Sequence, residues 1–360
     1  MSIHDHVTVM MKCTKLMLNH RIAIFSDLHI GVHVNSPLWH KIALQWVDWF
    51  AASLKQNNIK DVIFCGDFYH NRESIDLTSL QIGADIINKL QEFNLIMIAG
   101  NHCSYFKNNA AINSLSIFRG RQNITVVDDK VHEIQIGANC NAVLCPWGTE
   151  MNDIPKGDVT FGHFEIQTFK MNTFKMCEQG FSIRKLLEIS PLIFSGHFHF
   201  RDERLFEIGN IVYVGNPFQT DANDIGNSKG YYIFEGDTKE FTFVENTASP
   251  LIQKFKLSAL CNEDADLDEL YLACCNNIVK FIIDEKIDSE ELLILKNKLN
   301  TFGALSMEFY DEVPMEESKM SAAFEGIDIE QALIEFIDLM KYPNSGELQQ
   351  YCLDLYRKCA

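Results

Sequence analysis

The chain has 360 residues, 47% of them hydrophobic and 22% charged, long enough for one large domain or two to three smaller ones around a buried core. A formal net charge of −18 argues against a long electrostatic nucleic-acid groove built from this chain alone. Eleven cysteines, an odd count without CxxC spacing, argue against a disulfide framework or structural zinc cluster and for reduced thiols in a cytoplasm.

The first 20 residues lack the basic and apolar regions of a secretory signal, and no apolar run reaches the length of a membrane span. They read as a frayed N-terminal extension, with Met17 as an alternative start. Arg21–Ser26 is an apolar strand. Ser36-Pro37 then opens a helix whose Trp39, Ile42, Ala43, Trp46, Phe50 and Leu54 share one buried face. Lys60–Cys65 is a second strand, Asp76–Phe93 a second helix, and Leu95–Ala99 a third strand. This alternation predicts parallel crossovers in a layered α/β sheet, with ligands bound at the carboxyl ends of its strands.

From Ile124 the pattern becomes strands joined by short turns: Ile124–Val127, Val131–Ile136, Ala142–Cys145 and Asp158–Phe161, then Leu192–Ser195, Arg204–Ile208, Ile211–Val214, Tyr231–Phe234 and Phe241–Val244. These predict a second sheet packed on the first. The expected divisions are a main domain over 21–249, a small α/β domain over 250–310, an acidic linker over 311–322 and a helical tail over 323–360. The small domain reads as strand Asn277–Asp284, helix Glu290–Leu299 and strand Ala304–Tyr310. The tail reads as two amphipathic helices, one carrying Ile329, Leu333, Phe336, Ile337 and Met340, the other Leu348, Tyr351, Cys352, Leu355 and Tyr356. Short helices with large apolar faces beyond a linker favour a partner over packing on their own chain.

Five short segments each end a predicted strand with metal-binding side chains: Asp27-Leu28-His29, Gly66-Asp67, Gly100-Asn101-His102, Gly162-His163 and Gly196-His197-Phe198-His199. Singly, any of these histidines is more often a core or surface residue than a ligand. Together they describe a site for two cations, which needs a bridging carboxylate and hard oxygen or neutral imidazole donors. Asp67 is the natural bridge. Asp27, His29 and His199 would complete one shell, and Asn101, His163 and His197 the other. In His197-Phe198-His199, an extended backbone would put both imidazoles on one face and Phe198 in the core. His102, next to a ligand, is placed to protonate a leaving oxygen, with His70 in support and a metal-held hydroxide as nucleophile. His4, His6, His20, His33, His40 and His132 lack such context and read as surface or structural. The Trp39/Trp46 stripe reads as core.

The set DLHIG, GDFYH, GNH, GHFE and GHFH resembles the calcineurin-like metallophosphoesterases. More narrowly, it resembles the SbcD-type nuclease subunit of the SbcCD/Mre–Rad double-strand-break repair complex and its tailed-phage recombination-nuclease relatives. His70 after Asp67, and Tyr213–Pro217 followed by Lys229-Gly230-Tyr231, carry that narrower likeness over about residues 21–245. The resemblance implies a two-sheet metallophosphoesterase sandwich flanked by helices, plus a small α/β capping domain and a C-terminal helical tail. It implies metal roles for Asp27, His29, Asp67, Asn101, His163, His197 and His199, and catalytic roles for His102 and His70. It further implies two divalent cations, with Mn2+ first and Mg2+, Fe2+ or Zn2+ also compatible with the donors. The implied activity is exonuclease or endonuclease cleavage of DNA in recombination, repair or replication. The implied partners are an SbcC-like SMC-type ATPase and a second copy of the chain, as a homodimer within a heterotetramer.

One departure is Cys103, where the family usually reads Gly-Asn-His-Asp. An acidic neighbour would orient the imidazole, so a weaker or retuned general acid is expected, and Cys103 itself reads as a packing residue. Two other functions share these motifs: a phosphoesterase for a cyclic nucleotide or phosphomonoester, and a nuclease-dead scaffold. The extra domain and tail weigh against the first, and the full ligand set against the second.

Overall fold

A computed structural model describes residues 15–107, 109–171, 175–260, 267–285, 287–311, 330, 333, 334, 337 and 345–359. The expected linker over 312–322 and, in the first tail helix, Ile329, Phe336 and Met340 lie outside the described residues.

Two mixed sheets stack face to face. The first has six strands in the order β13-β12-β2-β3-β4-β5, and the second has seven in the order β1-β6-β7-β8-β9-β11-β10. In the first, β2 (Arg21–Phe25), β3 (Asp61–Phe64), β4 (Asn94–Ile98) and β5 (Ile124–Val127) run parallel. Helices Pro37–Gln56 and Leu77–Lys89 make the crossovers. Strands β12 (Gly230–Glu235) and β13 (Phe241–Glu245) extend this sheet antiparallel beyond β2.

Strand alternation sorts the core into layers. Ala23, Phe25, Val62, Phe64, Leu95 and Met97 face the helices, where Trp46 and Phe50 pack on Phe25. Their neighbours Ile22, Ile24, Ile63, Ile96 and Ile98 face the second sheet and meet Leu144, Phe161, Phe194 and Val212. The second sheet consists of β1 (Leu16–Leu18), β6 (His132–Ile136), β7 (Cys140–Cys145), β8 (Val159–His163), β9 (Leu192–Gly196), β10 (Asp202–Phe206) and β11 (Gly209–Tyr213). Its outer face is covered by Leu186, Leu187, Phe169 and Phe198.

Three expectations are corrected. Strand β1 is not frayed: Leu16, Met17 and Leu18 pair with Ile134, Gln135 and Ile136 of β6. Strands β5, β12 and β13 belong to the first sheet, because alternation reports which faces are buried and not which strand is the neighbour. The small module has three strands: β14 (Ile252–Lys256) pairs parallel with β15 (Ile278–Ile283), which pairs with β16 (Ser306–Asp311). Helices Leu267–Cys274 and Ser289–Asn300 lie between these strands in sequence.

Ile252 and Ile278 join the helix-side core of the main body, and Ile252 N–H donates to Gln219. The last described element is helix Ser345–Cys359. No disulfide joins the described cysteines, and Cys65, Cys103, Cys140 and Cys145 are buried thiols. No described helix is long and apolar enough to cross a membrane.

Candidate metal centre

Parallel β2, β3 and β4 of the first sheet and parallel β8 and β9 of the second end at the same edge of the sandwich. All seven expected donors therefore converge from strand ends that are up to 172 residues apart in sequence, between Asp27 and His199. The two loops that follow β2 and β3 are stitched together by main-chain bonds. Asp27 N–H donates to Gly66 O, His29 N–H to Asp67 O and Ile30 N–H to Phe68 O, at 2.9, 3.0 and 2.9 Å.

These turns are held in unfavourable backbone. Asp27, His29, Asp67 and His197 have φ of 54°, 47°, 64° and 92°, in the left-handed region that costs of order 1 kcal/mol or more per non-glycine residue. The His197 angle corrects the expectation of an extended His197-Phe198-His199. A left-handed turn at His197, not strand pleating, sends the two imidazoles to the two halves of the site, and Phe198 is buried in the apolar layer on the outer face of the second sheet. Close approach also demands glycine at 100, where a Cβ would lie 2.2 Å from Asp67 Oδ1.

Two donor clusters result. Oxygen or nitrogen atoms of Asp27, His29 and His199 lie within 4.8 Å of one another, as do those of Asp67, His163 and His197. Asn101 joins the second cluster, its Oδ1 2.8 Å from both His163 Nε2 and His197 Nδ1. Asp67 stands between them: Oδ2 is 3.2 Å from His163 Nε2 and 3.7 Å from His29 Nε2. In the first cluster His29 Nε2 is 2.9 Å from His199 Nε2 and 3.8 Å from Asp27 Oδ1. Donors around one cation at about 2.1 Å lie about 3 Å from each other, so these spacings fit two shells sharing Asp67.

The tautomers fit as well. His163 Nδ1–H donates to Cys65 O at 2.7 Å, which leaves Nε2 facing the oxygens of Asp67 and Asn101. His197 Nε2–H donates to Glu165 at 3.2 Å, which leaves Nδ1 facing Asn101. A lone pair aimed at oxygen acceptors calls for a positive charge between them. Among the described residues, the ion-pair partners of buried Asp27 and Asp67 are imidazoles alone.

A proton takes the place of that charge in the protein by itself. Burial works against a charged His163, but the Asp67 and Asp27 carboxylates outweigh it and raise its pKa to about 9. Burial lifts the Asp27 carboxyl to about 7. Burial would raise Asp67 too, yet His163 and His29 hold it below the usual carboxylate range. Burial keeps the other imidazoles neutral at pH 7: His29 and His197 fall below their ordinary value, and His199 drops to about 4.

His70 and His102 stand on the solvent side. Their rings stack at 5.5 Å, and with His29 they form a third cluster of nitrogens within 4.8 Å. His102 N–H donates to Asp67 Oδ1 at 2.8 Å, and its Nδ1–H to the His70 carbonyl at 2.5 Å. The His70 carbonyl thus supplies the orienting acceptor at the ring. Cys103 lies in the core, accepting from Phe68 N–H at 3.5 Å, with its pKa pushed up to about 12 by burial.

Of the histidines read as structural, His40 is buried against Ser79, His33 stacks on Trp39, His132 pairs with exposed Asp129, and His20 is exposed. His4 and His6 lie outside the described residues.

Two groups escaped the sequence reading. Glu165, two residues past His163, holds His197 and had its signal in the Gly-His-Phe-Glu segment. Lys229, buried and paired with Asp224 at 2.6 Å, donates to the His199 carbonyl at 2.7 Å.

Comparison with known proteins places this arrangement. The calcineurin-like phosphoesterase model matches residues 20–201, over half of the chain and all five strand-end segments. The chain is similar to exonuclease subunit 1 of Enterobacteria phage T4, with 24% identity over 239 residues, 64% of this chain and 68% of that one. Among solved structures, a dimetal phosphatase from Danio rerio aligns at 10% identity and TM-score 0.37, covering 59% of this chain and 91% of that one. GAP50, the anchor in the inner membrane complex of Plasmodium, aligns at 9% identity and TM-score 0.39, covering 64% and 89%. From the extent of the family match, this chain belongs to the calcineurin-like phosphoesterases.

Proposed function

We propose that this chain is the SbcD-type nuclease subunit of a DNA recombination, repair or replication complex and hydrolyses phosphodiesters with two divalent cations, Mn2+ first. The observation that carries this is the pair of donor clusters sharing Asp67, with His102 and His70 at their open side. The similarity to a phage exonuclease subunit supports a nucleic acid as substrate.

Asp27, His29 and His199 would hold one cation, Asn101, His163 and His197 the other, and Asp67 both. Bound there, the cations supply Lewis-acid neutralisation of phosphate charge and ease deprotonation of water. The chain supplies the rest. With Nδ1–H committed to the His70 carbonyl, His102 has Nε2 left for the substrate. From there it can hydrogen-bond a phosphate oxygen and, when protonated, give its proton to the leaving oxygen. His70 flanks that ring, and burial with His102 beside it lowers its pKa, so it acts as a neutral hydrogen-bonding partner.

The SbcC-like ATPase fits as partner. Helix Ser345–Cys359 exposes Tyr351 and Leu355, 66% and 52% accessible, and the acidic chain needs positive surface from elsewhere to hold DNA. The three-stranded module would cap the DNA. A homodimer within the heterotetramer is part of the same proposal and rests on the family resemblance.

The test is Mn2+-dependent nucleotide release from linear DNA by the chain co-purified with the SMC-like ATPase of an adjacent gene. Asp67→Asn and His102→Ala should abolish or strongly reduce it. Turnover of bis-nitrophenyl phosphate with no cleavage of DNA, alone or with the ATPase, would overturn the proposal in favour of a small-substrate esterase.

A further inference from the structure

An open cleft of about 250 Å³ adjoins the second donor cluster, bounded by Trp147, Phe181, His163, Glu165, Glu150 and Lys107. Trp147 is fixed in it from two sides. Its backbone N–H donates to Ala99 O at 2.8 Å, just before the Gly100-Asn101 turn, and its indole N–H donates to Lys107 O at 2.7 Å. The polar edge of the ring is therefore spent, and what it offers a ligand is π surface. The ring centroid lies 5.3 Å from that of His197 and 6.0 Å from that of His163. A planar group in the cleft would sit one ring away from two proposed ligands. The accompanying charges are two carboxylates against one ammonium, which disfavours a second phosphate there and leaves a neutral planar group as the better occupant.

We infer that this cleft receives the nucleobase attached to the phosphate at the metal centre, with Trp147 as its stacking surface. The inference rests on the proposed nucleotidyl chemistry and adds the group that recognises it. Stacking one base on an aromatic side chain is sequence-tolerant, as a nuclease without sequence preference requires, and its loss costs about 5- to 150-fold in affinity.

The experiment measures binding of dAMP, deoxyribose 5-phosphate and inorganic phosphate to the full chain in Mn2+, for wild type, Trp147→Phe and Trp147→Ala. The expected result is that dAMP binds wild type at least about fivefold more tightly than deoxyribose 5-phosphate. Trp147→Phe should keep most of that preference, and Trp147→Ala should lose it with phosphate affinity unchanged. Equal binding of dAMP and deoxyribose 5-phosphate to wild type would overturn the inference. So would a Trp147→Ala variant that keeps the preference, or that weakens all three ligands alike, because the indole would then serve only to cover His163 and His197. DNA degradation by the wild type is read separately. A chain that prefers dAMP but leaves DNA intact retires the nuclease proposal and keeps the cleft. A chain that degrades DNA with no base preference does the reverse.

Discussion

The pair Asp224–Lys229 offers the sharpest mutational test of how the fold supports the site. Both side chains are almost fully buried, 5% and 4% accessible, with Nζ and Oδ1 2.6 Å apart. The other carboxylate oxygen accepts from Thr220 N–H, Thr220 Oγ1 and Asn216 Nδ2 at 2.8, 3.1 and 3.0 Å. Lys229 also donates to Asn227 and to the carbonyl of His199 at 3.0 and 2.7 Å. Asp224→Ala leaves a buried ammonium without its counter-charge and frees the Thr220 and Asn216 donors. Breaking such a pair costs about 3–5 kcal/mol, a large part of a typical folding free energy of roughly 5–15 kcal/mol. Removing both charges as Asp224→Ala/Lys229→Met should cost less than the two single changes added, with a coupling of at least about 2 kcal/mol.

The sign with pH follows from the shifts. Burial pushes Asp224 up, but Lys229 and the hydrogen bonds outweigh it and hold the carboxyl below its usual range. Its stabilisation is therefore present above the unfolded carboxyl pKa and is lost as pH falls through the lower folded one. Urea denaturation of the four proteins, followed by circular dichroism, reads the cycle. Single variants each costing under about 1 kcal/mol, with additive effects, would refute the reasoning.

Three further outcomes are expected. Cation affinity should rise between pH 6 and pH 9, because an incoming cation must displace the protons that Asp27 and His163 retain to about 7 and about 9; calorimetry in buffers of different ionisation enthalpy should register proton release, and release-free binding would contradict this. Gly100→Ala should fold yet lose most cation affinity, since its Cβ would meet Asp67 Oδ1 at 2.2 Å, with melting temperature and Mn2+ titration as the two readouts. His102→Ala should lower the rate of phosphodiester hydrolysis by about 10²- to 10⁴-fold while leaving cation stoichiometry intact, since the ring sits on the solvent side of the ligands.

Much of the site was legible because each donor follows a run of apolar residues. Ile22–Phe25, Asp61–Phe64 and Asn94–Ile98 announce buried parallel strands, and parallel strands bring their ends to one edge. What stayed hidden depends on non-local pairing. Leu16–Leu18 is too short to carry a pattern and becomes a strand only against β6. In Ile252–Lys256, Lys254 and Lys256 interrupt the apolar pattern, so the strand is visible only beside β15. Neither the left-handed turn at His197 nor the use of Lys229 as a support could be read from residue type, and Glu165, though part of the Gly-His-Phe-Glu segment, showed its partner only in the fold. Each depends on what the folded chain sets opposite.

The proposed centre stands or falls on two cations sharing Asp67. The direct measurement is the number of Mn2+ ions bound per metal-free chain, by calorimetry and elemental analysis, for wild type and for Asp67→Ala. The expected result is two for the wild type and loss of tight binding at both positions in the variant. A wild type that binds one ion or none, or a variant that still binds two, would contradict it.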